Sequence, residues 1–309
     1  HSNAIAGPIP ASISALGNLR GLYLFNNLFS GSIPSMLSPV LQALDLSHNH
    51  LSGPIPPELA SSSALLRRVN LSYNRLSSTI PSSMASLSRL QILSLSHNQI
   101  LGPIHPLIIA SQLSYLQTLD LSHNLLNGSF TIDSVAPSPS SPSSVKQELF
   151  PSLLTLNLSF NGLTGVLPRE VGDMTMLLNL DLSNNGFSGP IPAELGNISG
   201  LSSLDISHNN LSGSIPSSFT QLSNLTAFNC SYNSLTGEVP KLSHSFADSA
   251  FSGNLGLCAF SSSSPCPAIA EAPSPGGPYD ASTTLGEGET SFAKKKRKKL
   301  LHDSSLKKK

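Results

Sequence analysis

The sequence predicts an α/β repeat solenoid: short parallel strands stacked along a concave face, with 3₁₀ or short helical segments on the convex side. Three observations carry this prediction. A phrase of the form L-x-x-L-x-L-x-x-N-x-L-x-G-x-I-P recurs, with well-formed copies at Leu177 to Pro192 (LLNLDLSNNGFSGPIP) and Leu201 to Pro216 (LSSLDISHNNLSGSIP). Its Asn falls at Asn3, Asn27, Asn49, Asn74, Asn98, Asn124, Asn161, Asn185, Asn209 and Asn233, at steps of 22 to 26 residues apart from one of 37. Hydrophobic residues make up 39% of the 309 positions and charged residues only 11%. Ser, Leu, Asn, Gly and Pro fill the difference, which suits a chain that turns often and buries one side of each turn.

Each position of the phrase has a physical role. In L-x-L, side chains alternate with period two, so both Leu face inward and the residues between them face outward. The Asn follows where the chain leaves the strand. Its amide donates and accepts, and so can satisfy backbone groups that the turn would otherwise bury unpaired. The Gly allows a backbone conformation that other residues resist. The Pro after Ile fixes φ and stops pairing beyond a short second strand. In PAELGNISG (Pro192 to Gly200), Leu195 and Ile198 are three apart, as one turn of 3₁₀ or α-helix would place them. One repeat cannot bury its own apolar side, so stacking makes the core and stability is roughly nearest-neighbour.

The expected organisation is a solenoid over 1–240 of about ten repeats, a carboxy-terminal cap over 241–267, and a tail over 268–309. The 37-residue step holds about 13 extra residues, among them APSPSSPSS (Ala136 to Ser144). This predicts a Ser/Pro-rich loop at 131–150, read either as a tolerated surface insertion or as a ligand-contacting island. Cys258 and Cys266, eight positions apart beyond the last repeat, suit a disulfide-pinned cap and an oxidising compartment; the alternative is two free thiols. Cys230 occupies a core Leu position and reads as a buried thiol. The formal charge is zero, yet nine basic residues and one acid lie in the last sixteen positions. The rest is mildly acidic, with eight basic against sixteen acidic residues. The basic run KKKRKKLL reads as juxtamembrane rather than as a nuclear signal or nucleic-acid patch, given the expected disulfide and sequons. The chain opens at His1 inside a repeat and has no apolar run of membrane-spanning length. The expectation is a fragment or processed product whose targeting and membrane segments lie outside it.

These residues resemble a known family. The NLSGSIP-type repeats are similar to the plant-specific class of leucine-rich repeat, a right-handed superhelix or horseshoe. The order of repeats, then F-x-G-N-x-G-L-C (Phe251 to Cys258), then Cys266-Pro267, then a basic stretch resembles the ectodomain end of plant leucine-rich-repeat receptor-like kinases. SGNLGLCAFSSSSPCP followed by KKKRKKLL is most similar to the inflorescence-meristem receptor-like kinase subgroup. Where that family continues into a membrane span, this sequence reads HDSSLKKK. The resemblance implies an extracellular domain at the plasma membrane, single-pass when full length. It implies an extracellular peptide or protein ligand, a co-receptor ectodomain, or both as partners, with no nucleic acid. Alternatives are a secreted binder of the polygalacturonase-inhibitor kind and a kinase-less receptor-like protein.

Candidate binding residues follow from the outward positions. The triplets run from Gly21/Tyr23/Phe25 and Ala43/Asp45/Ser47 to Ala227/Asn229/Ser231, with mostly Asp or Asn in the middle column and almost all Ser in the third. Tyr23 and Phe25 form the most distinctive patch. Tyr73, Phe160 and Tyr232 add aromatics on the flank, where edge packing competes with a binding role. Arg68 is the one concave arginine, and its strand partner is Asn70. The family's paired-arginine clamp for a peptide carboxylate is therefore disfavoured. A partial histidine column, His48, His97, His123 and His208, reads as repeat consensus or as a pH-sensitive face. Of seven N-x-S/T sequons, those at Asn70, Asn157 and Asn229 arise from the strand phrase. Asn127, Asn197, Asn210 and Asn224 are the glycosylation candidates, with Asn197 and Asn224 expected on the convex side. The sequence has no G-x-S-x-G, H-E-x-x-H, C-x-x-C or Gly-rich phosphate loop, so neither a catalytic centre nor a cofactor is expected.

Overall fold

The computed structural model describes residues 1–104, 113–131 and 150–258. Each coil carries an inner strand of three residues and, beyond the Asn turn, an outer strand of three to five. In chain order these are β1 (Ala6–Pro8), β2 (Gly21–Tyr23), β3 (Leu28–Gly31), β4 (Ala43–Asp45), β5 (His50–Gly53), β6 (Arg68–Asn70), β7 (Arg75–Ser78), β8 (Ile92–Ser94), β9 (Gln99–Gly102) and β10 (Thr118–Asp120). There follow β11 (Leu125–Ser129), β12 (Thr155–Asn157), β13 (Gly162–Val166), β14 (Asn179–Asp181), β15 (Gly186–Pro190), β16 (Ser203–Asp205), β17 (Asn210–Gly213), β18 (Ala227–Asn229), β19 (Ser234–Glu238) and β20 (Gly256–Cys258). The even strands β2 to β18 form the inner sheet in sequence order. The odd strands followed by β20 form the outer one. Pairing is parallel throughout, and equivalent core residues face each other, as Leu180, Leu204 and Phe228 do. This is the α/β repeat solenoid of stacked parallel strands that the sequence predicts.

Every inner strand buries its middle residue, from Leu22 through Val69 and Leu119 to Phe228. The next Leu of the phrase, such as Leu46, Leu95 or Leu182, is buried as well. Phe187 and Phe219 fill two wider layers with no exposed surface. Burying each such side chain contributes roughly 1.5–3 kcal/mol. The Pro of I-P, or of Leu167-Pro168 in one coil, sits immediately before the 3₁₀ turns at Ala11–Ala15, Ser82–Ser86, Arg169–Asp173, Ala193–Asn197 and Ser217–Gln221. Its φ near −60° starts the turn, and no side chain caps it.

From Asn49 onward the Asn ladder is fully engaged. Asn124 donates to the carbonyls of Leu121 and Ser122 in its own coil and to Leu95 in the preceding one, and accepts from the Ile100 amide. Asn49, Asn74, Asn98, Asn161, Asn185, Asn209 and Asn233 repeat this pattern. Asn3 does not join, because its amide donates to the His1 carbonyl instead. At the other end Asn254 does join, donating to Cys230 and accepting from Leu235. With β20 paired to β19, the coil pattern runs past Pro240 to Cys258. Among the described residues, no buried side-chain polar atom lacks a partner.

Candidate functional site

The concave face is shallower than the triplet reading implies. The first two residues of each triplet are solvent-facing, but the third column is not. Ser47, Ser72, Ser122, Ser159, Ser183, Ser207 and Ser231 are all buried. The reason is local hydrogen bonding. The Ser47 amide and hydroxyl both donate to Asp45 Oδ1, at 3.0 and 2.6 Å, and Ser72 does the same to Asn70. The Asp/Asn column thus holds the strand exit rather than standing free. Asn70 and Asn229 also donate across coils to Asp45 and Asp205. Tyr23 is exposed with its ring folded over Gly21, while Phe25 is half-buried and stacks on His1 at 4.3 Å. Arg68 is exposed on β6. At the carboxy-terminal end of this face a hollow of ≈ 600 Å³ opens among Asp205, Thr226, Asn229, Tyr232, Phe246 and Ser249.

The flank holds a feature that the sequence reading split in two. The residue just before each ladder Asn has a left-handed backbone. Asn26, His48, Tyr73, His97, His123, Phe160, Asn184, His208 and Tyr232 all lie at φ of 52–56°. Asn and His tolerate this region better than most residues, which explains the histidine column without invoking a ligand. The histidines and the flank aromatics therefore occupy one column. Five rings stack continuously: His48 on Tyr73 (4.2 Å), Tyr73 on His97 (4.1 Å), His97 on His123 (4.0 Å) and His123 on Phe160 (4.2 Å). Asn184 interrupts the stack, and His208 on Tyr232 resumes it at 4.4 Å. Each stacked pair contributes roughly 0.5–1.5 kcal/mol, comparable with the backbone strain it accompanies. Aligning the repeats on their Asn was the signal available. His97 sits mid-stack, and partial burial, then His123, pulls its pKa below the ordinary histidine value, with Asp120 opposing and His48 adding to the fall.

The remaining candidates are dispersed. Asn127, Asn197, Asn210 and Asn224 are all exposed. Asn197 ends a 3₁₀ turn, and Asn224 donates to the Ser199 carbonyl. The strand sequons at Asn70, Asn157 and Asn229 are half-buried and already bonded. Cys230 is a free buried thiol whose pKa burial raises to about 12. Cys258 is disulfide-bonded. Cys266, the 136–144 stretch and the tail from 268 lie outside the described residues. Among the described residues there is no group placed to hold a metal ion, and no helix is long and apolar enough to cross a membrane.

Leucine-rich-repeat family descriptions match residues 39–100, and also 18–39, 115–135, 152–174, 176–198 and 200–222, together more than half of the chain. The chain belongs to the leucine-rich-repeat family. Its curated relatives are plant receptors. One is an Arabidopsis thaliana leucine-rich repeat receptor-like protein kinase whose name marks its kinase as doubtful, 46% identical over 63 residues. Another is receptor-like protein 34 of Arabidopsis thaliana, 42% identical over 57 residues. These matches span 20% and 18% of this chain and only 6% of each relative. Among solved structures, a TDR receptor matches with TM-score 0.69 and 33% identity over 77% of this chain and 39% of its own. The Arabidopsis receptor kinase HAESA, solved with the peptide hormone IDA and the co-receptor SERK1, matches with TM-score 0.56 and 34% identity over 86% of this chain and 50% of its own. A plant ice-binding protein matches with TM-score 0.67 and 28% identity over 82% of this chain and 78% of its own.

Proposed function

We propose that this chain is the extracellular recognition domain of a plant receptor-like kinase. It binds a peptide or protein ligand, a co-receptor ectodomain, or both, and signals by bringing partner domains together at the plasma membrane. The observation that carries the reading is the match, over 77% and 86% of the chain, to plant receptors, one of them solved with a peptide hormone and a co-receptor. The chemistry agrees. Polar groups of the concave interior bond to one another, which leaves extended exposed faces rather than an enclosed reaction chamber. No catalytic role is assigned to the chain. In this reading Cys258 pairs with Cys266 to pin the end of the solenoid, and Asn127, Asn197, Asn210 and Asn224 carry glycans. Tyr23, Phe25, Arg68, Tyr73, Phe160 and Tyr232 offer contact points on the concave and flank surfaces.

The kinase-less receptor-like protein is a second reading, supported by the receptor-like protein relatives. A secreted polygalacturonase-inhibitor-like binder is a third outcome. The ice-binding neighbour shows that this fold alone does not select a ligand. Biolayer interferometry of the secreted chain against synthetic apoplastic peptides, with and without a co-receptor ectodomain, tests the proposal. Peptide-dependent co-receptor binding is expected. Inhibition of a polygalacturonase, with no response to any peptide or co-receptor, would move the chain to the secreted class.

A further inference from the structure

The edge opposite the ring stack, where each coil enters its inner strand, carries an unassigned pocket. Arg67, Arg89, Gln91 and Tyr115 line a cavity of ≈ 320 Å³. Arg67 and Arg89 are exposed, and Tyr115 is 63% exposed. No Asp or Glu occurs between Glu58 and Asp120, although four arginines do: Arg67, Arg68, Arg75 and Arg89. This is a cationic patch on a body that is otherwise acidic. Arg67 and Arg89 line one cavity, and among the described residues neither forms an ion pair with an acid, which suits the pair to a carboxylate.

The surroundings narrow the class of ligand. Residues just before the inner strands form a backbone-bonded row, with Arg67 on Gln42, Gln91 on Arg67 and Gln117 on Gln91. Gln side chains both donate and accept, as peptide groups require. Farther along, the same edge turns apolar: Leu154 is half-buried, Met176 is 52% exposed and Leu178 is 39% exposed. Coils stack at about 4.8 Å, so Leu178 lies about 15 Å from Gln91 along the edge, a distance that four to five extended residues span.

We propose that this edge docks an extended segment of a peptide or protein partner. Its acidic side chain enters the Arg67/Arg89 pocket, and apolar side chains four to five residues away cover Met176 and Leu178. The proposal deepens the receptor reading by naming a site and a ligand chemistry. Its test is independent of that reading, because it needs no natural ligand.

The probe is a phage-displayed random dodecapeptide library selected on the immobilised 309-residue chain. Enriched clones should carry Asp or Glu followed or preceded, four to five positions away, by Leu, Ile, Met or Phe. Arg67→Ala/Arg89→Ala should weaken those clones about tenfold, the worth of one charge-assisted contact. Met176→Ser/Leu178→Ser should remove the apolar preference and keep the acidic one. Arg75→Ala, which removes a charge on the outer strand β7, should leave both. Both pocket arginines are exposed, and circular dichroism checks that the variants fold. Three results would overturn the proposal: clones without an acid, acidic clones indifferent to Arg67 and Arg89, or polygalacturonate binding through these arginines with no peptide enriched. If acidic clones bind as expected while apoplastic peptides and co-receptor do not, the receptor reading fails and the pocket stands.

Discussion

Two neighbouring columns of this solenoid obey different rules. The ladder Asn and the residue before it recur once per coil, one step apart. From Asn49 onward the Asn column is uniform because each amide completes four backbone bonds that no shorter side chain reaches, as Asn209 does with Ile206, Ser207, Leu182 and Phe187. The preceding column is constrained only in backbone, at φ of 52–56°, while its side chains vary among Asn, His, Tyr and Phe. Hydrogen-bond satisfaction fixes identity; a left-handed φ fixes only a tendency. The first column builds the fold. The second leaves room for a surface that varies along the solenoid.

The largest effect should come from breaking the ladder. Asn161→Ala strands the Leu126 amide and takes one donor from the Leu121, Leu158 and Ser159 carbonyls, which keep Asn124, Asn185 and the His123 amide as their other donors. Urea denaturation should show a loss of about 3 kcal/mol, from one stranded amide costing roughly 1–3 kcal/mol together with the lost second bonds to three carbonyls. Gly196→Ala should follow, since a Cβ there would lie 2.5 Å from Ser218 Oγ in the next coil. Overpacking of this kind costs about 1–3 kcal/mol in the same assay.

A smaller effect of opposite sign is expected at Ser78. It occupies the position where other coils carry Gly, at φ 71°. Ser78→Gly should raise stability by roughly 1 kcal/mol through relief of left-handed strain. A loss at this position would mean that the hydroxyl has a role the backbone does not reveal.

The ring stack should respond to pH. The pKa of His97 is lowered in the folded chain, so the unfolded chain binds the extra proton first. Its contribution to stability is therefore present above the ordinary histidine value, near 6.5, and is lost as pH falls through that value toward the folded pKa. His97→Phe keeps a ring in the stack and should flatten this acid-side decline in thermal melts between pH 7.5 and 5. A decline unchanged in the variant would place the titration elsewhere. Cys230 supplies the smallest signal. With its pKa near 12 and no exposed surface, the folded chain should react with a thiol reagent roughly three orders of magnitude more slowly than the unfolded one.

Most of the fold was legible because one phrase repeats. Leu spacing gave the inner strands, I-P marked the start of most 3₁₀ turns, and Cys230 read as buried. The same reading placed Ser47 and its equivalents on the open face, since strand alternation knows nothing of the Asp45–Ser47 bond that turns the hydroxyl inward. Asn254 was missed because its coil lacks the inner L-x-L phrase and only the ladder survives. Histidines and aromatics were read as separate sets because residue type was weighed before repeat position. Arg67 and Arg89 escaped notice because they lie outside the strand triplets, and only stacking of adjacent coils brings them to one pocket.

The most direct test of the two-column account is urea unfolding of Asn124→Ala beside His123→Ala at pH 7.5. The account predicts that Asn124→Ala lowers stability by about 3 kcal/mol, while His123→Ala, which removes one ring from the stack, costs no more than about 1.5 kcal/mol. Equal losses, or a larger loss at His123, would contradict the division of labour between the ladder that builds the solenoid and the column that decorates it.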